Sequence, residues 1–172
     1  MKIYIACGLT HVPRDVFAEH ASFVHALAAA LRAHPPGHDV KYALVNSDPQ
    51  LAAKPFEQRA RLCYLWDREM VEEAELVVVE ASFPSIGVGI EMQIAQRQGT
   101  PIILCFKHSE SNRAKPVEYV NPDSLHHQLQ IGEGFVSLIA LGIPEIVKVI
   151  SYQNQADGIK KVLDVVEVLE KD

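Results

Sequence analysis

The chain is short of cysteine, of net positive charge and of long apolar runs. Its three cysteines, Cys7, Cys63 and Cys105, are odd in number and widely spaced. That excludes a closed disulfide framework and predicts reduced thiols in the cytoplasm. Lys and Arg total 16 against 22 Asp and Glu, a net charge of −6. A basic face tracking a nucleic-acid polymer is therefore not expected. A small anionic substrate stays admissible, because a local site can be positive on an acidic protein. No apolar run approaches the roughly 18 residues of a membrane span, and the opening MKIYIACG lacks the cleavage pattern of a signal peptide. No internal repeat or low-complexity segment is present. What remains is ordinary globular composition, 172 residues with 48% hydrophobic and 22% charged. It predicts one domain over 1–172 whose core needs no disulfide or metal staple.

Strand-like and helix-like segments alternate. Short apolar runs at 2–7, 39–45, 76–81, 101–106 and 146–152 read as strands of a parallel sheet buried on both faces. Helical spacing covers 14–33, 55–75, 89–98 and 158–171, while 82–89 reads as a loop and NSDP at 46–49 as a turn. Residues 107–127 are polar and aperiodic and predict a long loop, and 128–141 is ambiguous, with a helix indicated at 135–141. The expected fold is α/β, a doubly wound flavodoxin- or Rossmann-like sheet of five parallel strands flanked by helices. Such sheets bind ligands outside the carboxyl ends of their strands, which directs attention to residues after Cys7, Val45, Ala81, Phe106 and Tyr152.

Two carboxylates stand out. Glu91 follows the loop Pro84-Ser85-Ile86-Gly87-Val88-Gly89. Gly87 and Gly89 permit positive φ and close backbone approach to a ligand. Placed in a first helical turn, Glu91 is kept ionised by the helix dipole and fits a nucleophile. It equally fits a glutamate that only complements the dipole. Asp67 shares a helix face with Cys63, Met70, Val71 and Ala74. An acid on a core-facing stripe is costly unless paired. It is either a site residue or an acid at the rim, or one paired to Arg59 or Arg61. Arg68 and Glu72 are spaced to pair. Two carboxylates in different environments suggest glycosyl chemistry, one to attack an anomeric carbon and one to act as acid or base.

The block from Asp67 to Glu91, with Ala74-Glu-Leu-Val-Val-Val-Glu-Ala-Ser-Phe-Pro-Ser-Ile-Gly-Val-Gly-Ile-Glu91, resembles the nucleoside 2-deoxyribosyltransferase superfamily. Its likeness is to the 2'-deoxynucleoside 5'-monophosphate N-glycosidase branch. Outside the block the likeness is of layout: the Ile-Tyr-Ile-Ala-Cys-Gly opening, a Ser137–Gly142 segment and a last strand ending in Tyr152. The resemblance implies that Glu91 is the nucleophile of a glycosyl-enzyme intermediate. It implies that Asp67 is an acid/base or orienting group, and that Tyr4 stands beside the nucleophile. Ser85 is implied to contact a 5'-phosphate, and Ser137 to be supplied across a dimer interface. The branch carries a Ser-Ile-Arg-Gly-Gly-like phosphate loop after the first strand. This chain has Gly8-Leu-Thr-His-Val-Pro-Arg14 there, in which Thr10, His11 or Arg14 could replace the missing groups.

The implied activity is hydrolysis of the N-glycosidic bond of a (deoxy)nucleoside 5'-monophosphate. The alternatives are base exchange by a nucleoside 2-deoxyribosyltransferase and nucleotide sensing without turnover. The implied partners are a small nucleoside or nucleotide and a second copy of the chain, with no cofactor and no metal required. Among the remaining residues, Phe83 is the best candidate to line a base pocket. Cys7 lacks a partner arrangement for nucleophilic catalysis, and Cys63 and Cys105 read as core. His20 and His25 do not share a helix face and read as surface residues. Trp66 and Tyr64 read as packing. His108, His126 and His127 show no metal-ligand spacing.

Overall fold

The computed structural model describes residues 1–171. In chain order the elements are β1 (Lys2–Cys7), α1 (Phe17–Ala33), β2 (Asp39–Tyr42), α2 (Ala43–Asn46), α3 (Asp48–Leu51), α4 (Phe56–Glu72), β3 (Leu76–Glu80), α5 (Ile86–Gln98), β4 (Ile102–Lys107), β5 (Glu118–Val120), β6 (His126–Gln128), α6 (Leu138–Leu141), β7 (Ile146–Tyr152) and α7 (Gln155–Leu169). Five strands form one sheet in the order β2-β1-β3-β4-β7, every pair parallel. This is the flavodoxin-like order, which reverses direction between β1 and β3 and opens a ligand crevice there.

Alternation along the strands divides the core in two. Ile3, Ile5, Leu76, Val78, Ile103, Cys105, Ile150 and Tyr152 pack under α1 and α7 with Phe23, Leu27, Leu31, Val162 and Val166. Tyr4, Ala6, Val77, Val79, Ile102, Leu104 and Phe106 pack on the other face against Met70, Val71, Val88, Met92 and Ala95 of α4 and α5. β3 is buried along its whole length, as a central parallel strand must be. Its register with β1 sets Tyr4 beside Val77 and Cys7 beside Glu80.

Several boundaries differ from the sequence reading. β2 stops at Tyr42, and the stretch read as strand end and turn coils into α2 and α3. The cause is local: Asn46 Oδ1 accepts the Tyr42 N–H at 3.0 Å, and the Ser47 N–H bonds back to the Ala43 carbonyl at 3.2 Å. α5 starts at Ile86, not near Gly89, because Ser85 caps it: Ser85 Oγ accepts the Val88 N–H at 3.4 Å. α7 starts at Gln155 because Asn154 Oδ1 accepts the Asp157 N–H at 3.0 Å. The segment read as one long loop contains the antiparallel hairpin β5–β6, with Tyr119 stacked on His127 at 5.5 Å. The helix indicated at 135–141 is the single turn α6.

Candidate active site

Tyr4 enters from the middle of β1 and Glu91 from the second turn of α5. The Tyr4 O–H donates to Glu91 Oε1 at 2.8 Å. The other oxygen, Oε2, is buried without a hydrogen-bond partner. Two expectations are corrected here. Glu91 is not in the first turn, so the helix terminus does not hold it ionised. Burial pushes its carboxyl up to about 8, against the Tyr4 hydrogen bond that pulls it down, and the Asp67 charge adds to the rise. Gly87 and Gly89 are ordinary helical residues without positive φ.

Asp67 sits on α4, facing the same region. Ser47 Oγ–H donates to its Oδ1 at 2.6 Å, and Cys63 Sγ–H reaches its Oδ2 at 3.3 Å. Ser47 is fully buried at the turn between α2 and α3, so the coiling after β2 is what brings a hydroxyl to the acid. Neither arginine weighed as a partner is there, since Arg59 caps the carbonyls of Ala52 and Lys54. Arg68 and Glu72 pair at 2.6 Å on the outer face of α4. Cys63, read as core, is half-buried, and burial and Asp67 push its thiol up to about 12. Burial followed by Glu91 also raises Cys7, so it is held as an inert thiol.

The loops after β1 and β3 touch. A Cβ at Gly8 would lie 3.1 Å from Ser85 Cβ and 3.2 Å from the Phe83 carbonyl oxygen, so position 8 has room for hydrogen only. Thr10, His11 and Arg14 stand exposed on the β1 loop, where the Arg14 guanidinium bonds to the Thr10 carbonyl at 3.4 Å. Ser137 is exposed at the start of α6.

Sequence reasoning missed a second polar cluster at the same sheet edge. Glu80, the last residue of β3, is completely buried. It accepts hydrogen bonds from the hydroxyls of Ser82 and of Tyr152, the latter at 2.9 Å. His20 is buried as well, not on the surface. Its Nε2–H donates to the Gly8 carbonyl at 2.8 Å and its Nδ1 lies 3.4 Å from Glu80 Oε2. Burial raises the Glu80 carboxyl above its ordinary range, and His20 and the hydroxyls oppose the rise. Beside this cluster opens a cavity of about 240 Å³ lined by His20, Phe23, Ser82, Phe83, Lys107 and Tyr152 among others. Phe83 lines this cavity with its ring edge-on to His20 at 5.3 Å, whereas Glu91 and Asp67 do not line it. Only the Glu80-Ala-Ser82 spacing hinted at the cluster, because its other members lie far off in sequence.

No helix among the described residues is long and apolar enough to cross a membrane.

No family model matches the chain. A protein of Syntrophotalea carbinolica that carries the provisional name 2'-deoxynucleoside 5'-phosphate N-hydrolase 1 is 34% identical over 59 residues, 34% of this chain. The match spans about two fifths of that relative, 42% of its length. The solved structure of a CMP N-glycosidase from Clostridium botulinum superposes over 95% of this chain and 98% of its own, with a TM-score of 0.54 and 16% identity. A conserved protein from Enterococcus faecalis V583 superposes over 93% of this chain and 97% of its own, with a TM-score of 0.52 and 18% identity. Both structures show the same fold. The chain thus has the fold of these two structures and, over 59 residues, a sequence likeness to the Syntrophotalea protein.

Proposed function

We propose that the chain hydrolyses the N-glycosidic bond of a (deoxy)nucleoside 5'-monophosphate through a covalent intermediate on Glu91. The observation that carries this reading is the asymmetry of that carboxyl: Tyr4 holds Oε1, while Oε2 is buried and unpartnered. A carboxylate oriented by one oxygen leaves the other free to attack. In the proposed step Glu91, ionised before attack, faces the substrate's anomeric carbon as that carbon gains positive charge. Its Oε2 then supplies the electron pair for a bond to that carbon. The carbon–nitrogen bond breaks, and the base leaves with its electron pair and takes up a proton, routed through Asp67. Water then attacks the same carbon and gives up a proton to solvent, the ester to Glu91 breaks, and the carboxylate is restored.

The other candidate residues are given roles by their place around the carboxylates. Ser85 and the amino end of α5 lie where a phosphate is favoured, with Thr10, His11 and Arg14 on the facing loop supplying donors. Gly8 holds the loops after β1 and β3 together, while Gly87 and Gly89, ordinary helical residues, and Phe83, which lines the neighbouring cavity, are given no contact with the substrate. Ile86 and Ile139 are exposed at 85% and 87%. Apolar side chains so exposed support pairing of two copies, in which Ser137 reaches the partner's site.

The test is chromatography of the purified protein with the four deoxynucleoside 5'-monophosphates and the four deoxynucleosides, each with and without a second base. Free base from monophosphates alone is the expected result. The exposed β1 loop without its serine and arginine favours one second reading, base exchange by a deoxyribosyltransferase. In that case a new nucleoside would form only when a second base is present. No product from any substrate would overturn turnover and leave a nucleotide sensor.

A further inference from the structure

At the sheet edge opposite the carboxylates, α1 ends at Ala33, β2 begins at Asp39 and α7 ends at Leu169. The segment His34-Pro35-Pro36-Gly37-His38 joins the first two, turning at Gly37 with φ +91°, a value that strains other residues. The turn stacks the imidazoles of His34 and His38, with centroids 5.9 Å apart and planes 27° apart. Glu170 offers one carboxylate oxygen to each ring. Oε2 lies 3.8 Å from His34 Nε2, and Oε1 lies 3.6 Å from His38 Nε2. The side chain of His38 is completely buried, yet its Nε2 has no hydrogen-bond partner, an arrangement folded proteins avoid.

The spacing has a simple geometric reading. Hydrogen-bonded charged pairs close to about 2.7–2.9 Å, and these gaps are longer. A tetrahedral ion with bonds near 2.0–2.1 Å separates its ligand atoms by roughly 3.3–3.4 Å. The three candidate ligand atoms all lie within 4.8 Å of one another, so a small closure places each on one ion.

We propose that His34, His38 and Glu170 bind one divalent transition-metal ion of the zinc class, with solvent as fourth ligand. Two imidazoles and a carboxylate suit such ions better than calcium or magnesium. The ion staples the ends of α1 and α7 to the start of β2, far from Glu91 and Asp67. His38 Nδ1 lies 3.4 Å from the Met1 nitrogen. Sequence spacing alone missed the site because its third ligand comes from the far end of the chain.

The test uses the full chain stripped with a chelator. Co²⁺ is titrated while the absorption bands of tetrahedral cobalt are followed, and Zn²⁺ is titrated by calorimetry and thermal melting. The expected result is one ion per chain and a Tm rise of roughly 5–10 °C at a hundredfold excess over Kd. His34→Asn and Glu170→Gln alter partly exposed side chains. Their chelated forms should melt with the chelated wild type, and they should bind at least ~10-fold more weakly, the usual cost of losing even a supporting partner. No uptake by the wild type, or uptake equally tight in both variants, would overturn the proposal.

Discussion

Tyr4 and Glu91 meet across 87 residues of chain, the phenol of a strand donating to one oxygen of a helix carboxyl at 2.8 Å. The bond fixes which oxygen is engaged and which is free. It also makes the two residues a single unit in any assay, with opposite influences on the Glu91 proton arriving from Tyr4 and Asp67.

Glu91→Gln keeps the side-chain volume and an oxygen for Tyr4 but removes the nucleophile. Turnover of the monophosphate should fall by ~10³-fold or more, while the Tm is unchanged or raised because a buried carboxyl has been neutralised. Steady-state rates and melting curves decide it. Near-wild-type turnover would sink the assignment.

Tyr4→Phe should slow kcat by about 10–100-fold, the equivalent of a hydrogen bond to a charged group worth roughly 1.5–3 kcal/mol. It should also move the ionisation seen in kcat/KM to higher pH, because the phenol holds the Glu91 carboxyl down. Asp67→Asn should move the same ionisation below about 8, because it removes a charge that raises it. pH–rate profiles of both variants are the measurement, and displacement in the same direction would disprove the coupling.

Glu91 also predicts opposed pH trends for stability and activity. The unfolded chain loses this proton near 4.5, whereas the folded protein keeps it until about 8. The stability linked to that proton is therefore full below pH 4.5, and on the order of a few kcal/mol of it is lost by pH 8. The ionised form needed for attack grows over the same interval, so kcat/KM should climb with pH and level off above 8. Urea midpoints from pH 5 to 9 should fall more steeply in wild type than in Glu91→Gln.

His20→Ala strands Glu80 and frees the Gly8 carbonyl. Breaking a buried pair costs about 3–5 kcal/mol, which corresponds to a Tm drop of roughly 6–20 °C. A drop of only about a degree would show that Glu80 folds as the neutral acid and does not rely on His20.

Ser85→Ala separates the proposed phosphate contact from chemistry. Loss of a cap costs about 1 kcal/mol of stability. Loss of a charged hydrogen bond should raise KM for the monophosphate by about 10–100-fold and leave KM for the deoxynucleoside near its wild-type value. Equal effects on both substrates would remove Ser85 from the phosphate.

Much of the fold was legible because the information was local. Unbroken β-branched runs such as Leu76–Glu80 can only be central strands, and α4 kept its helical spacing throughout. The start of α5 was misread because two glycines masked a helix that Ser85 begins. The stretch after β2 was misread because Ser47 is buried by a contact with Asp67, twenty residues on. Glu91 and Asp67 could be singled out because their block is contiguous, and Tyr4 because the resemblance extends to the first strand. Glu80 with His20, and His34 with Glu170, could not be, because each pair is made by packing of elements distant in sequence. The environment of Glu91 was also out of reach, since desolvation depends on everything that surrounds a group.

The close approach at Gly8 bears on how this protein can change over time. With 3.1 Å between a Cβ there and Ser85, the two loops share one fixed pivot, while beyond it Thr10, His11, Pro13 and Arg14 are exposed and Val12 is buried. A lineage can rewrite that arm to suit another sugar or anion without re-tuning Glu91, whereas a side chain at the pivot would displace the Ser85 cap and the start of α5 together. Random libraries across 8–14 that are selected for retained turnover of the monophosphate should therefore recover glycine at the first position, an apolar residue at 12 and phosphate donors among 10, 11 and 14.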